Sequence, residues 1–385
     1  MLALNDGQQL VVESWRLVNQ SYVDPSRFEA IRWKQLRQKA LERPIQSSDD
    51  AYGAIEWMLA PLGDPYTRLL RPADYTALKA STQGSVSGVG LQLGIRRDDT
   101  AIVVIAPLEG SPASEAGIVS GTELLRVDGL SAEGLGREAT AARLRGPEGS
   151  EVLLELKGPK GVPHEAVLKR RRVDLQPVRS RTLEQGGHRL GYLRITQFAE
   201  PVPGQVHQAL DELNDKGIDA LILDLRNNSG GLVSAGLAVA DQLLAGAPIV
   251  ETQARDGIGS PVVAGPAQIY GGPMLTLVNG GTASASEILA GALQDDGRSA
   301  LLGSRTFGKG VIQSLIPLGD GSGLAVTVAR YLTPGGRDIQ NQGIGPDVSL
   351  SGAEPLNPGG EDDGWLEQAE RLLVQQLDQG SGAQG

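Results

Sequence analysis

The sequence predicts a multidomain protein of the α/β and α+β classes, with a helical N-terminal module, a β-rich domain and a layered α/β domain. The chain has 385 residues, more than one hydrophobic core normally organises. Residues 84–173 contain short apolar runs between glycine turns, which is typical of β-structure. From Arg189 onward, strand-like apolar runs alternate with amphipathic stretches, which indicates a layered α/β domain.

The helical module is predicted at residues 1–78. Apolar side chains recur at helical spacing near its start, at Leu10, Val11, Trp15 and Val18. Another helix begins near Ser48, where acidic and hydroxyl side chains suit a helix N-terminus. Turn residues from Gly63 onward end the helical region.

The β-rich domain is predicted at residues 79–173. Its strands are expected at 89–95, 101–106, 122–127, 151–156 and 165–170, with a short helix at 136–144. Asp128-Gly129 is a dipeptide that favours the tight turn of a β-hairpin.

The α/β domain is predicted at residues 174–350. Its strands are expected at 190–195, 220–225, 248–252, 274–278, 300–303, 311–317 and 324–331, and its helices at 202–214, 232–244 and 284–293. Residues 351–385 are expected to form a last helix at 366–377, which packs on the helical module, and a frayed tail at 380–385.

Composition excludes several classes of function. The net charge of −11 and the absence of a dense Lys/Arg run argue against a nucleic-acid partner. Without cysteine there are no disulfides or thiol nucleophiles, and His164, His188 and His207 lack metal-ligand spacing, so no metal or cofactor is predicted. Neither a transmembrane run nor a signal peptide is visible, so the chain is expected to be cytosolic or a mature form without its targeting segment.

Ser284 is a candidate nucleophile at a predicted strand-to-helix junction. The free N–H groups of a first helical turn, together with the helix dipole, favour a developing oxyanion. The spacing Ser284-x-x-Glu287 is also that of a helix capping box. The local sequence alone favours the capping role.

Lys309 changes this balance because a serine hydroxyl needs a base to become nucleophilic. No histidine follows His207 and cysteine is absent, which leaves lysine or a carboxylate as the base, and Lys309 is the only lysine in residues 217–385. Arginine stays protonated and cannot serve as a base, whereas burial lowers the pKa of a lysine. Glycines flank Lys309 and allow close approach, although a solvated loop lysine is the alternative.

Two glycine-rich stretches resemble nucleotide-binding motifs. Residues 303–310 approach a phosphate-binding P-loop, but Gly310 stands where a magnesium-binding hydroxyl is required and a β-rich run follows. Residues 88–94 have the wrong glycine spacing for a dinucleotide site. Nucleotide binding is therefore not predicted.

The two segments around the candidate dyad resemble the carboxyl-terminal processing (tail-specific) serine peptidases. These segments are Gly281-Thr282-Ala283-Ser284-Ala285-Ser286-Glu287 and Thr306-Phe307-Gly308-Lys309-Gly310, and Lys309 follows Ser284 by the family spacing of 25 residues (284 to 309). The resemblance covers nearly the whole chain. It is nearest to the branch that processes the precursor of a photosystem II reaction-centre protein in thylakoids and cyanobacteria.

This resemblance implies a crotonase-like peptidase domain with a Ser-Lys dyad. Ser284 would be the nucleophile, Lys309 the base and Gln313 the residue that orients the lysine. Along an extended strand, residues 309 and 313 would lie about 13 Å apart, so the Gln313 assignment requires a bend. The implied oxyanion donors are the N–H groups of Ala285 and of Gly230, with Gly231 as the alternative to Gly230.

The β-rich domain resembles a PDZ domain in three ordered segments, at 88–91, 112–118 and 124–129. In that family a glycine loop holds the terminal carboxylate of a peptide, which adds as a strand to the sheet edge. The resemblance assigns this role to Gly88, Val89, Gly90 and Leu91.

The predicted function is therefore a serine endopeptidase that cleaves near the C-terminus of protein substrates and trims a photosystem II reaction-centre precursor. Its partners would be C-terminal protein tails, and the resemblance implies a thylakoid lumen or a periplasm. Two alternatives are a non-catalytic PDZ scaffold on a degenerate peptidase domain and a periplasmic tail-specific protease with broader substrates.

Overall fold

The structure, a computed structural model, describes residues 4–82, 85–96, 101–108, 110–158, 161–174, 176–355, 358–360 and 362–382. The helices are α1 (Asp6–Ser21), α2 (Ser26–Ala30), α3 (Trp33–Leu41), α4 (Ser48–Leu59), α5 (Pro72–Thr82), α6 (Pro112–Glu115), α7 (Ala132–Leu144), α8 (Val202–Asp215), α9 (Val233–Leu243), α10 (Ala285–Asp295) and α11 (Gly364–Gly382). The strands are β1 (Arg68–Leu70), β2 (Ser85–Gly88), β3 (Leu91–Ile95), β4 (Ile102–Pro107), β5 (Glu123–Val127), β6 (Leu130–Ser131), β7 (Glu151–Lys157), β8 (Pro163–Lys169), β9 (Arg171–Asp174), β10 (Val178–Gln185), β11 (His188–Ile195), β12 (Ala220–Asp224), β13 (Pro248–Ala254), β14 (Gly257–Ile258), β15 (Val262–Val263), β16 (Met274–Val278), β17 (Ala300–Gly303), β18 (Val311–Pro317), β19 (Gly323–Leu332) and β20 (Val348–Ser349).

The chain divides into two compact units, and the first is assembled from three separate segments. They are Met1–Lys79, Glu251–Ser260 and Gly310–Leu332. Within this unit β19 pairs antiparallel with β1, with β18 and with the later part of β13. The helices bury their apolar stripes in a core that Leu318, Leu324 and Val326 complete. The helical module therefore includes a hairpin that the sequence places in the α/β domain.

The second unit comprises Ala80–Val250, Pro261–Lys309 and Thr333–Gly385. Its β-rich part is a sheet in the order β3-β4-β5-β7-β8 with a hydrophobic core of its own. Asp128 and Gly129 both have positive φ, 48° and 76°, as the predicted tight turn between β5 and β6 requires. The strands β2 and β9 were not predicted from the sequence. They come just before and just after this sheet in the chain, and they pair with each other as a two-stranded ribbon.

The second unit also contains a six-stranded sheet in the order β10-β11-β12-β16-β17-β20. The pair β10 and β11 is antiparallel, and the remaining pairs are parallel. Alternate strand residues face opposite sides of a sheet. One side packs on α11, and Gly191 on the other side faces Leu213 of α8. The strands and helices therefore form the mixed α/β layers that the sequence predicts.

The position of α11 corrects one expectation. Leu366, Ala369 and Leu373 pack against β-strand residues such as Ile222 and Leu277, not on the helical module. The amphipathic pattern identified the helix, but an apolar stripe does not specify its partner. The helix continues to Gly382, so part of the predicted tail is helical, and residues 383–385, like 1–3, lie outside the described residues. Within the described ranges, no helix is both long and apolar enough to cross a membrane.

Candidate active site

Ser284 lies in the sharp turn between β16 and α10. Its backbone adopts φ 58° and ψ −119°, a combination that costs a residue with a Cβ on the order of 1–3 kcal/mol. The side chain is only 7% exposed, and the N–H of Ala285 opens the helix beside it. A strained serine at a strand-to-helix turn is also how hydrolases of other folds present a nucleophilic hydroxyl.

Glu287 joins this turn to the loop that carries Lys309. Its carboxylate is completely buried. Oε2 accepts hydrogen bonds from the N–H groups of Ser284 and Lys309, both at 2.9 Å. Oε1 accepts one from Thr306 Oγ1 at 2.5 Å and one from the Gly308 N–H at 2.8 Å. Burial raises the pKa of Glu287, and the four hydrogen bonds oppose that rise because they favour the ionised form.

The lysine loop connects β17 to β18 along the chain, and further backbone contacts hold it. The Phe307 N–H donates to the carbonyl oxygen of Thr282 in the serine turn at 3.0 Å. Thr306 N–H donates to the Ile344 carbonyl oxygen at 3.0 Å, and the Ile344 N–H donates to Thr306 Oγ1 at 2.7 Å. Lys309 itself is half-buried. The residues just before Lys309 are therefore held both to the serine turn and to Ile344.

The loop that follows β12 is bound to the serine turn through Asn228. Its carbonyl oxygen accepts hydrogen bonds from the Ala283 N–H and from Ser286 Oγ, both at 2.9 Å. Its side-chain Nδ2 donates to the Ile195 carbonyl oxygen at 2.9 Å. Asn228 is completely buried, so its side chain has a defined orientation.

Gly230 approaches the serine turn very closely. A Cβ at this position, where φ is 97°, would lie 2.8 Å from both the Ala283 carbonyl oxygen and Ser284 Cβ, so glycine is required. The Gly230 N–H donates to Asn228 Oδ1 at 2.9 Å. Among the described residues the Gly231 N–H has no hydrogen-bond partner. Of the two predicted oxyanion donors, Gly231 is therefore the better placed to accept a new ligand.

Asn279 ties the same two loops together from the end of β16. Its Oδ1 accepts hydrogen bonds from the Asn227 N–H at 2.8 Å and the Gly281 N–H at 3.0 Å, and its Nδ2 donates to Asn227 Oδ1 at 2.7 Å. Thr282 Oγ1 donates to the Leu225 carbonyl oxygen at 2.8 Å. These contacts fix the loops through buried polar groups, which are costly to leave unpaired.

A buried ion network lies under these loops. Arg226 donates two hydrogen bonds to Asp224, at 2.9 and 2.5 Å, and two to Asp363, at 2.9 and 2.6 Å. Asp224 also pairs with Arg194 at 3.1 Å and accepts the Tyr192 hydroxyl at 2.7 Å. Although burial raises the pKa of Asp224, the guanidinium groups of Arg226 and Arg194 hold it well below its ordinary value.

Gln313 lies in β18, within the first unit. The register against β19 shifts between Ile312 and Gln313. Its Nε2 is buried and finds no hydrogen-bond partner in the part of the chain that is described. Such orphaned buried donors are rare and call for a functional or structural reason.

The predicted tail-binding loop connects β2 to β3 and contains Gly88, Val89, Gly90 and Leu91. The carbonyl oxygen of Val89 accepts the Ala113 N–H at 2.9 Å, and that of Gly90 accepts the Leu108 N–H at 2.8 Å. A Cβ on Gly90, where φ is 78°, would lie 2.1 Å from Ser111 Cβ. The loop is thus held by its carbonyl oxygens in a conformation that needs glycine.

The strand β3 is at the edge of its sheet and faces the lysine loop. A Cβ on Gly94 would lie 3.3 Å from Phe307 Cζ, and one on Gly281 would lie 3.1 Å from the Ile105 carbonyl oxygen. The hairpin β3–β4 therefore lies against both the serine turn and the lysine loop. Within the described ranges, no group of three His, Asp or Glu side chains is arranged to hold a metal ion.

Comparisons with known proteins place this chain in a family. The profile of peptidase family S41 matches residues 189–350. The carboxyl-terminal-processing protease of Picosynechococcus sp. is 45% identical over 97% of this chain and 91% of its own length. The chloroplastic carboxyl-terminal-processing peptidase 3 of Arabidopsis thaliana is 42% identical over 89% of this chain and 69% of its own. A solved photosystem II D1 C-terminal processing protease superposes with a TM-score of 0.83 at 38% identity, covering 96% of this chain and 98% of the other.

Proposed function

The chain belongs to peptidase family S41 and is a serine-type carboxyl-terminal-processing peptidase, and from this premise we propose that Ser284 is its nucleophile and Lys309 its general base. One observation carries the proposal. The N–H groups of both residues donate to the same oxygen of Glu287, so the strained serine and the lysine share one buried anchor. No histidine follows His207 in the chain, and Lys309 is the only lysine in residues 217–385.

In the proposed reaction, the neutral amine of Lys309 accepts the proton of Ser284 Oγ as the oxygen attacks the scissile carbonyl carbon. The N–H groups of Ala285 and Gly231 stabilise the oxyanion of the tetrahedral intermediate, with Gly230 as the alternative donor. The intermediate collapses, and Lys309 returns the proton to the leaving amine. Water then attacks the acyl-enzyme carbonyl carbon and gives a proton to Lys309. Lys309 passes this proton to Ser284 Oγ as the bond between that oxygen and the acyl carbon breaks, which restores the neutral amine and the free hydroxyl.

The loop of Gly88, Val89, Gly90 and Leu91 is proposed to hold the carboxylate of the substrate tail through its N–H groups. A peptide whose last residue lies at the start of β3 must run antiparallel to that strand. Its upstream residues then pass Gly94 towards Phe307, next to the lysine loop. This arrangement accounts for cleavage near a free C-terminus.

The proposed substrate is the C-terminal extension of a photosystem II reaction-centre precursor, and the proposed compartment is a thylakoid lumen or a periplasm. The names of a cyanobacterial relative, a chloroplastic relative and a solved D1 processing protease support this proposal. Mass spectrometry of products from that precursor tail and from an unrelated apolar tail tests it. Equal cleavage of both tails would favour a tail-specific protease with broader substrates.

The dyad is tested by turnover of a C-terminally extended substrate by Ser284→Ala, Lys309→Ala and Lys309→Arg. Each variant is expected to lose on the order of 10⁴- to 10⁶-fold in kcat, while circular dichroism shows an unchanged fold. Lys309→Arg is the matched control for charge, because arginine keeps the cation but cannot act as a base. Near-normal turnover by Lys309→Ala would refute the dyad, and tail binding without turnover by the wild type would indicate a non-catalytic scaffold.

Gln313 is proposed to contribute to catalysis on the family resemblance and on its unpartnered buried Nε2. Gln313→Ala is expected to lower kcat by about tenfold or more, since misplacing a base weakens general base catalysis. Gln313→Glu, which retains the shape of the side chain, separates loss of packing from loss of the amide donor.

A further inference from the structure

We propose that Glu287 is a positioning residue that sets the spacing of Ser284 and Lys309 by holding both of their backbones on one carboxylate. This inference rests on the dyad proposed above. In this role the Glu287 carboxylate caps α10 and also binds the lysine loop.

The pattern of donors goes beyond what capping requires. A capping glutamate needs only the N–H of its own N-cap residue, here Ser284. The other three donors, from Thr306, Gly308 and Lys309, come from a loop 19 to 22 residues later in the chain. The carboxylate therefore serves two loops, and its removal releases the lysine loop as well as the serine turn.

Both oxygens of the Glu287 carboxylate are fully used as hydrogen-bond acceptors. Each oxygen accepts two hydrogen bonds, Oε2 from two N–H groups and Oε1 from a hydroxyl and an N–H. Thr306 Oγ1 donates to Oε1 of the carboxylate and accepts the Ile344 N–H at 2.7 Å. A glutamine at position 287 places its NH₂ group against an N–H donor in either orientation, because Oε2 faces two N–H groups and Oε1 faces the Gly308 N–H. The isosteric amide is therefore a strong perturbation of hydrogen bonding at nearly constant volume.

The anchor also opposes strain in the serine turn. Ser284 is held at φ 58° and ψ −119°. Conformations of this kind persist only when the surroundings impose them. Without the carboxylate, the serine turn and the lysine loop relax independently, and the reacting atoms move out of alignment. A misplacement of about 1 Å costs on the order of 10²-fold in rate.

The proposal is tested by steady-state kinetics of Glu287→Gln and Thr306→Val, with Thr306→Ser as the matched control that keeps the hydroxyl. Glu287→Gln is expected to lower kcat by about 10²-fold or more, and Thr306→Val by about tenfold. Thr306→Ser is expected to stay within about twofold of the wild type. For all three, KM and the affinity for a short tail peptide are expected to remain unchanged. The double variant Glu287→Gln/Thr306→Val should have the same kcat as Glu287→Gln alone, because both changes remove the same anchor.

These outcomes separate the anchor from a general loss of stability and from the dyad itself. If Thr306→Val and Thr306→Ser have equal kcat, or if Glu287→Gln folds normally and keeps the wild-type kcat, Glu287 does not position the dyad. The inference would also be overturned if, across the variants, the loss of kcat were proportional to the fall in melting temperature and KM rose at the same time. If Ser284→Ala and Lys309→Ala still turn over substrate, the proposed function fails first.

Discussion

Replacing Arg226 by leucine should destabilise the second unit by about 3 kcal/mol. Arg226 is completely buried and forms four hydrogen bonds with Asp224 and Asp363. Removing one partner of a buried ion pair costs about 3–5 kcal/mol, because it leaves a charge without compensation in the interior. Asp224 keeps Arg194 and Tyr192 as partners, which places the expected loss at the lower end of that range.

The assay is urea and thermal denaturation of the full chain at neutral pH, with Arg371→Leu as control. Arg371 pairs with Glu367 on α11, and both side chains are more than half exposed, at 54% and 59%. Loss of such a pair costs about 0.5 kcal/mol or less. A loss below about 1 kcal/mol for Arg226→Leu, or one equal to that of Arg371→Leu, would refute the reasoning.

The difference in the free energy of unfolding between Arg226→Leu and the wild type should also depend on pH. The folded-state pKa of Asp224 lies below its ordinary value of 3.8. A carboxylate of this kind contributes its stability above the ordinary pKa and loses it as the pH falls through the folded-state pKa. The two proteins are therefore expected to converge only at strongly acidic pH. Convergence already near neutral pH would show that Asp224 is not the group that Arg226 stabilises.

Three further predictions concern single residues. The Tyr52 hydroxyl donates to Asp320, and burial raises the pKa of Tyr52 from 10.0 to about 12. The neutral hydroxyl therefore stabilises the folded protein fully below pH 10, and this stabilisation is lost as the pH rises towards about 12. Tyr52→Phe should flatten the alkaline unfolding curve in this window, and parallel curves would contradict the assignment. Gly204→Ala in α8, where a Cβ meets no atom within 4 Å, should stabilise the protein by about 0.5–1 kcal/mol in thermal denaturation. Gly231→Ala, whose Cβ would lie 2.1 Å from the Phe198 carbonyl oxygen, should abolish turnover, and retained activity would exclude this loop from the site.

Several strands were predictable from the sequence. The predicted strands at 274–278, 300–303 and 311–317 have the bounds of β16, β17 and β18, whereas those at 190–195 and 220–225 differ from β11 and β12 by one or two residues. The strand β10 was missed because only a few of its residues are apolar and half of its residues are exposed, as is usual at a sheet edge. Pattern alone therefore identifies the buried centre of the sheet better than its border.

The helix cap at Ser284 was predictable from the sequence, but the wider connections of the candidate site were not. The spacing of Ser284 and Glu287 indicates a cap, and the N–H of Ser284 does donate to Glu287. The same carboxylate also binds a loop 22 residues away, a contact that depends on how β16 and β17 lie side by side. By contrast, the hydrogen bond from the Gly230 N–H to Asn228 Oδ1 spans only two residues and is a turn that Asn-x-Gly favours.

The three-part composition of the first unit has a consequence for how the protein is made. Tyr52 and Asp320 bond across 268 residues of chain, and Leu324 and Val326 complete a core that the N-terminal helices begin. Those helices are synthesised before residues 310–332, so their apolar faces stay uncovered until that segment has been made, a situation that slows folding and favours chaperone binding. Lys309 immediately precedes that segment. The proposed base is therefore synthesised just before the part of the chain that completes the core of the first unit.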